Sequence, residues 1–188
     1  MIKAWKHFKT ITYHKYLVAQ GCFKVGLYKQ GLLHDMSKYS PTEFWVGAKY
    51  YQGTRSPNNA EREEKGYSAS WLHHKGRNKH HYEYWQDYSL TPGGALVPVP
   101  MPDRYFAEMI MDRIAASKVY KGKDYTDAAP LAYLQNAADC KPIHPDTQEK
   151  LEFVLKMLAE NGEKETFRYV KDVFVKHKKP YKDRQQCR

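Results

Sequence analysis

The sequence predicts an all-α fold, a bundle of helices built as one domain. Three observations carry this expectation. Apolar residues recur every three or four positions through residues 3–20 and again through 103–120. The segment Ser40-Pro41-Thr42-Glu43 has the chemistry of a helix start: a capping serine, a proline suited to the first helical position, and a glutamate that completes a capping box. No stretch reads as a strand. The 188 residues, 41% of them hydrophobic, suit a single domain with a sizeable core, taken as residues 1–178 followed by a basic tail, 179–188.

In chain order, the first helix spans 3–20, with Trp5, Phe8, Ile11, Tyr16 and Leu17 as its apolar positions. His7 and His14 lie two turns apart and share one of its faces. A second helix, 22–35, contains Phe23, Val25, Leu27, Leu32 and Leu33, and is weakened by Gly26 and Gly31. A third runs from Pro41 to about Tyr51, and residues 53–66 form a polar connection. A short helix holds Trp71 and His74 and breaks at Gly76; Asn78 caps another that reaches Tyr88. Residues 89–102, with four prolines and two glycines, form a crossover loop. The strongest amphipathic helix, 103–120, places Tyr105, Phe106, Met109, Ile110 and Ile114 on its apolar side. Helices over 127–138, 145–160 and 163–177 complete the bundle.

Thirty-one Lys and Arg against 21 Asp and Glu leave a net charge of +10. That balance favours anionic partners, whether phosphorylated metabolites, nucleotides or nucleic acids, and does not choose among them. Cys22, Cys140 and Cys187 are far apart and form no CxxC pair. This excludes a disulfide framework and a thiolate zinc site and fits a reducing, cytoplasmic setting. The first twenty residues are too charged for a signal peptide. No window holds 18 consecutive apolar residues, so no membrane span is expected.

The chemistry concentrates in the histidines. "LLHDMSK", 32–38, sets His34 and Asp35 among apolar neighbours, and "WLHHKGRNKHHYEYW", 71–85, carries four of the nine histidines. Imidazole and carboxylate together are the ligand set of zinc, iron, manganese and nickel. Asp35 alone is as well explained by an ion pair to Lys38, three residues on, with His34 as a hydrogen-bonded core histidine. The second cluster changes the balance. His73 and His80 are seven residues apart, as are His74 and His81, and a kink at Gly76 would turn both doublets toward one point. Trp71, Leu72, Tyr82, Tyr84 and Trp85 around them argue for a packed segment rather than a solvated basic loop.

The order of these residues resembles the HD-domain superfamily of metal-dependent phosphohydrolases: a histidine on an early helix, "HD" followed three residues later by lysine, further histidines, then an aspartate on a late helix. From "HKYLV" through "GLLHDMSKYSPTEF" and "GYSASWLHHKGRNKHHYEYW" to "PMPDRYFAEMIMDRIAASKVY", about residues 10–135, the chain also resembles a narrower bacterial and phage family of unknown function. The resemblance implies an HD-like helical bundle holding one or two divalent transition-metal ions, Mn, Fe, Ni or Zn. Its implied ligands are His14, His34, Asp35 and Asp112, with Glu108 and Asp103 as substitutes for the last. His73, His74, His80 and His81 would serve a second ion, His74 and His80 before the others, although paired doublets depart from the superfamily's usual spacing. Asp35 would bridge two ions or orient a water, and Lys38, Lys75, Arg77 and Asn78 would meet a phosphate. Tyr67, Tyr84 and Trp85 fit core packing better than base stacking.

Hydrolysis of a nucleotide or other small phosphate ester is the expected activity. An HD-type di-iron oxygenase and a non-enzymatic basic nucleic-acid-binding protein are the alternatives. Dispersed basic residues, with no helix-turn-helix or zinc-finger spacing, weigh against the last.

Overall fold

No proline interrupts the first forty residues, and in the computed structural model, which describes residues 2–90, 93–136 and 142–181, they begin as one long helix, α1 (Ile2–Val25). Its buried stripe is His7, Ile11, His14, Val18, Gly21, Cys22 and Val25, in steps of three and four. This corrects the expected apolar face: Trp5 and Tyr16 remain 58% and 57% exposed. Two of the stripe's positions are histidines, so hydrophobicity alone favoured the wrong side.

Gly26, at φ 91°, ends α1 about one turn into the segment expected to form a second helix. The remainder, α2 (Tyr28–Leu33), folds back on α1 so closely that a Cβ on Gly31 would lie 2.9 Å from the Cys22 Cβ. After a 3₁₀ turn (Met36–Tyr39), α3 (Pro41–Lys49) starts at the expected proline. The capping box does not form, because Ser40 makes no side-chain cap bond and Glu43 turns inward.

The polar connection 53–66 contains a helix, α4 (Pro57–Lys65), that hydrophobic periodicity could not reveal. Its one buried residue is charged: Glu61 accepts from the Ser68 hydroxyl at 2.7 Å. Ser68 in turn caps α5 (Ala69–Lys75) by accepting from the Trp71 N–H. The helix expected from Asn78 to Tyr88 is absent. A 3₁₀ turn (Tyr82–Tyr84) leads into β1 (Gln86–Tyr88), which pairs antiparallel with β2 (Leu96–Pro98) in the register Gln86–Pro98, Asp87–Val97, Tyr88–Leu96. Part of the expected crossover loop is thus a small hairpin.

α6 (Asp103–Lys121) and α7 (Ala129–Gln135) follow, and α8 (Pro145–Val170) merges the two helices expected there across a break at Gly162 (φ 76°). A π-helical turn (Lys171–Val175) ends the bundle. The end of the helix expected over 127–138, Cys140, Cys187 and residues 182–188 of the tail lie outside the described residues. Val18, Cys22 and Val25 of α1 meet Phe106, Met109, Ile110 and Ile114 of α6, Leu151, Leu155 and Leu158 of α8, and Phe174 in one apolar core. The predominantly all-α class is as expected. Among the described residues no helix is long and apolar enough to cross a membrane.

α3 packs on α1 through an uncommon pair. His7 is buried between Phe44 and Tyr51, and a Cβ built on Gly47 would lie 2.4 Å from His7 Nε2. Gly47→Ala should therefore lower stability by about 1–3 kcal/mol, read from the urea midpoint. Burial, with a smaller contribution from Lys38, also pushes the His7 pKa down to about 4. A neutral His7 favours the fold above pH 6.5, and the unfolded chain gains the proton first as pH falls. Wild type should lose roughly 2–3 kcal/mol relative to His7→Leu between pH 7.5 and pH 4, measured by urea unfolding at each pH.

Candidate metal centre

The backbone at the end of α2 decides where two side chains go. His34 leaves the helix in an extended conformation, and Asp35 follows in the left-handed region at φ 52°. Aspartate tolerates that region better than most residues. Lys15 anchors the turn, its Nζ donating to the Leu32 and His34 carbonyls at 2.6 and 2.9 Å. Both consecutive side chains then lie inside, each residue 2% exposed.

Around Asp35 the chain gathers two groups of donors. On one side His14 from α1, His34 and Asp112 from α6 meet Asp35. His14 Nε2 stands 3.0 Å from Asp112 Oδ1 and 3.7 Å from Asp35 Oδ2. His34 Nε2 stands 3.3 Å from Asp35 Oδ2 and 3.6 Å from Asp112 Oδ1. On the other side His74, His80 and His81 meet Asp35. His74 Nε2 and His80 Nε2 lie 3.3 and 3.4 Å from Asp35 Oδ1, and His74 Nε2 lies 2.8 Å from His81 Nε2. Each carboxylate oxygen of Asp35 thus faces a different group.

These separations have a meaning. Ligand atoms held about 2.0–2.2 Å from one ion sit about 2.8–3.6 Å apart along the edges of a tetrahedral or octahedral shell. The hydrogen-bond tally agrees. Nε2 of His14, His34 and His80 and both oxygens of Asp35 are buried without a hydrogen-bond partner. Lys38 Nζ comes within 2.6 Å of Asp35 Oδ2 but off hydrogen-bond alignment. Buried polar atoms are normally paired, and five of the unpaired ones lie together here, in groups that could hold a metal ion.

Behind the donors stand two buried glutamates. Glu108 Oε1 receives His34 Nδ1 at 2.9 Å and lies 3.2 Å from His80 Nδ1. Glu43 holds His73 Nδ1 at 2.6 Å with one oxygen and His74 Nδ1 at 2.8 Å with the other. In a neutral ring of His34, His74 or His80, an N–H committed at Nδ1 leaves the Nε2 lone pair facing the centre. Trp71 walls the second group, its ring 4.8 Å from that of His81.

The charges are mutually supported. Burial opposes the Asp35 anion, but His34, Lys38 and His74 hold its pKa well below the usual carboxylate range. Asp112 is likewise held down against burial by His14 and His34. Burial also opposes a charged His34, and Asp35, Asp112 and Glu108 outweigh it. His81 goes the other way: burial, then the neighbouring His80 and His74, keep its imidazole neutral.

The structure brings His14, His34, Asp35, His74, His80, His81 and Asp112 together. It leaves His73 outside, on Glu43. The predicted phosphate donors divide. Lys38 lies at the centre. Arg77 is exposed and donates to the His73 carbonyl, and Asn78 spends its amide on the Ser37 hydroxyl and the His74 carbonyl. Lys75 stands half-buried on α5. Asp103 pairs with Lys150, away from the centre. Trp85 packs on the core, whereas Tyr67 is exposed. Glu43 was missed because its sequence signature, three residues after a serine, is that of a cap. Glu108 entered only as a substitute for Asp112, from which it stands one helical turn away.

Residues 3–157 match the sequence model of a family described as a family of unknown function (DUF5662). No curated protein and no solved structure matches the chain.

Replacing Glu43 by Ala leaves the buried His74 Nδ1–H only the Ser37 hydroxyl, 3.2 Å away, and should cost about 1–3 kcal/mol of stability in the metal-free protein. Glu43→Gln, which keeps one acceptor, should cost less. Urea denaturation of both variants in chelator checks this.

Proposed function

The chain belongs to this family of unknown function, and we propose that it is a metal-dependent phosphohydrolase of the HD type, acting on a nucleotide or another small phosphate ester. The observation that carries the proposal is the set of five buried, unpartnered donor atoms on His14, His34, Asp35 and His80, turned toward one another at the spacing of coordination shells. His14, His34, Asp35 and Asp112 form one ligand group, and Asp35, His74, His80 and His81 the other. A divalent ion in such a site supplies a water acidified toward neutrality and a Lewis acid for a phosphoryl oxygen.

The chain's own residues account for the rest. Asp35 offers one oxygen to each group and so fixes their separation. Lys38 keeps that carboxylate ionised, and its side chain, 30% exposed, presents its remaining N–H bonds toward solvent. Lys15, Lys75 and Arg77 add positive field around it, in line with the +10 charge of the chain. Asn78 and His73 act from behind, the first on the Ser37 hydroxyl and the His74 carbonyl, the second on Glu43.

A second reading rests on the same donors. An imidazole-rich pair of groups sharing one carboxylate also suits iron, and hence oxygenase chemistry.

The test is the metal content, by plasma mass spectrometry, of untagged protein purified without chelator, followed by a phosphoester screen. Wild type should carry one or two equivalents of manganese, nickel, zinc or iron and hydrolyse p-nitrophenyl phosphate, its diester or nucleotides. His34→Ala and Asp35→Asn should lose the metal and at least about 100-fold of the activity. Bound iron with a visible absorption band and no phosphoester turnover would shift the assignment to the oxygenase. No metal bound or taken up would sink both, leaving a basic binding protein.

A further inference from the structure

Glu108 occupies a position that the catalytic proposal does not use. It lies one turn before Asp112 on α6, is 5% exposed, and points its Oε1 at two rings at once. One ring, His34, belongs to the group with His14 and Asp112; the other, His80, belongs to the group with His74 and His81. The rings lie 4.3 Å apart, centre to centre. Glu108 is in neither Asp35-containing group; its Oε1 meets the Nδ1 atoms, on the far side of each ring from Nε2, and with His34 and His80 it forms a third, smaller cluster of possible ligands.

We infer that Glu108 is a positioning residue that couples the two halves of the centre, so that filling one half prepares the other. The inference rests on the two-group metal reading and extends it to how the groups load. A single acceptor oxygen sets the orientation of both rings. An ion on His34 Nε2 fixes that ring, and with it the Nδ1–H···Glu108 bond. The carboxylate, once fixed, holds His80 Nδ1–H and turns His80 Nε2 toward the second group. The ordering cost of the shared element is then met once for two ions. Asp35 also touches both groups, but as a ligand; Glu108 couples them without binding either ion. Glu108 is buried, with its Oε1 2.9 Å from His34 Nδ1 and 3.2 Å from His80 Nδ1.

The experiment is a Mn(II) titration of the full chain, stripped with chelator, followed by native mass spectrometry at half saturation and by calorimetry. Wild type, Glu108→Gln and Glu108→Met are compared, with circular dichroism as the check on folding. Glutamine keeps an oxygen acceptor and the volume, whereas methionine keeps the volume alone. In wild type the two-ion form should dominate the one-ion form. In Glu108→Gln the ratio of two-ion to one-ion protein should fall about tenfold, and in Glu108→Met further, within the 10- to 100-fold span of outer carboxylate effects. Both Asp35-containing groups should still bind, one after the other. An unchanged ratio in the folded glutamine variant overturns the coupling, as does a wild type that loads its two ions statistically; in either case the two-ion centre itself stands. A wild type that takes up no Mn(II), Zn(II) or Fe(II) overturns both the coupling and the metal reading, and is told apart by that lack of uptake.

Discussion

Everything near the centre follows from one ionised carboxylate in the protein interior. A buried anion costs several kcal/mol unless it is matched by opposite charge and by groups that bind it. Asp35 is matched by Lys38 and encircled by imidazoles from three separate segments. Those imidazoles need acceptors at their other nitrogens, and Glu43 and Glu108 supply them. Take away the charge on Asp35 and the pattern loses its reason: five histidines crowd together without a counter-charge at their centre.

The folding scaffold and the centre share their elements. α1 buries Val18 and Cys22 in the apolar core and His14 in the centre, on one stripe. α6 does the same with Ile110 and Ile114 beside Glu108 and Asp112. His14 and Asp112 are therefore held by helices whose rotation and depth are set by core packing, while His34, Asp35, His80 and His81 come from the turns between elements. This is the condition for positioning ligands within a fraction of an ångström, and loops alone seldom meet it.

How much of this was legible in the sequence depended on whether local chemistry and burial agreed. The helix start at Pro41 was legible because proline geometry is local. His34 and Asp35 were legible because a charge among leucines demands a partner. The α1 face was not, since its inner stripe contains His7 and His14 while Trp5 and Tyr16 face out. Helix α4 was hidden because its buried residue, Glu61, is charged and satisfied by serines. The helix expected after Asn78 failed because that asparagine is bound to the nearby His74 carbonyl and to Ser37, the latter a contact that arises only when distant segments meet. For the same reason Glu43 passed as a cap: its real partners lie thirty residues ahead.

The ligand groups draw on residues from 14 to 112, so the centre has no local precursor. During synthesis the early histidine leaves the ribosome long before the final aspartate. In between, the chain displays two histidine doublets that can seize a stray ion on their own, and metal held by an unfolded chain weakens the drive to fold. On the proposed metal reading, order of events then matters more than affinity: a bundle that closes before the ion arrives presents the complete ligand set, whereas an early ion meets only the histidine doublets.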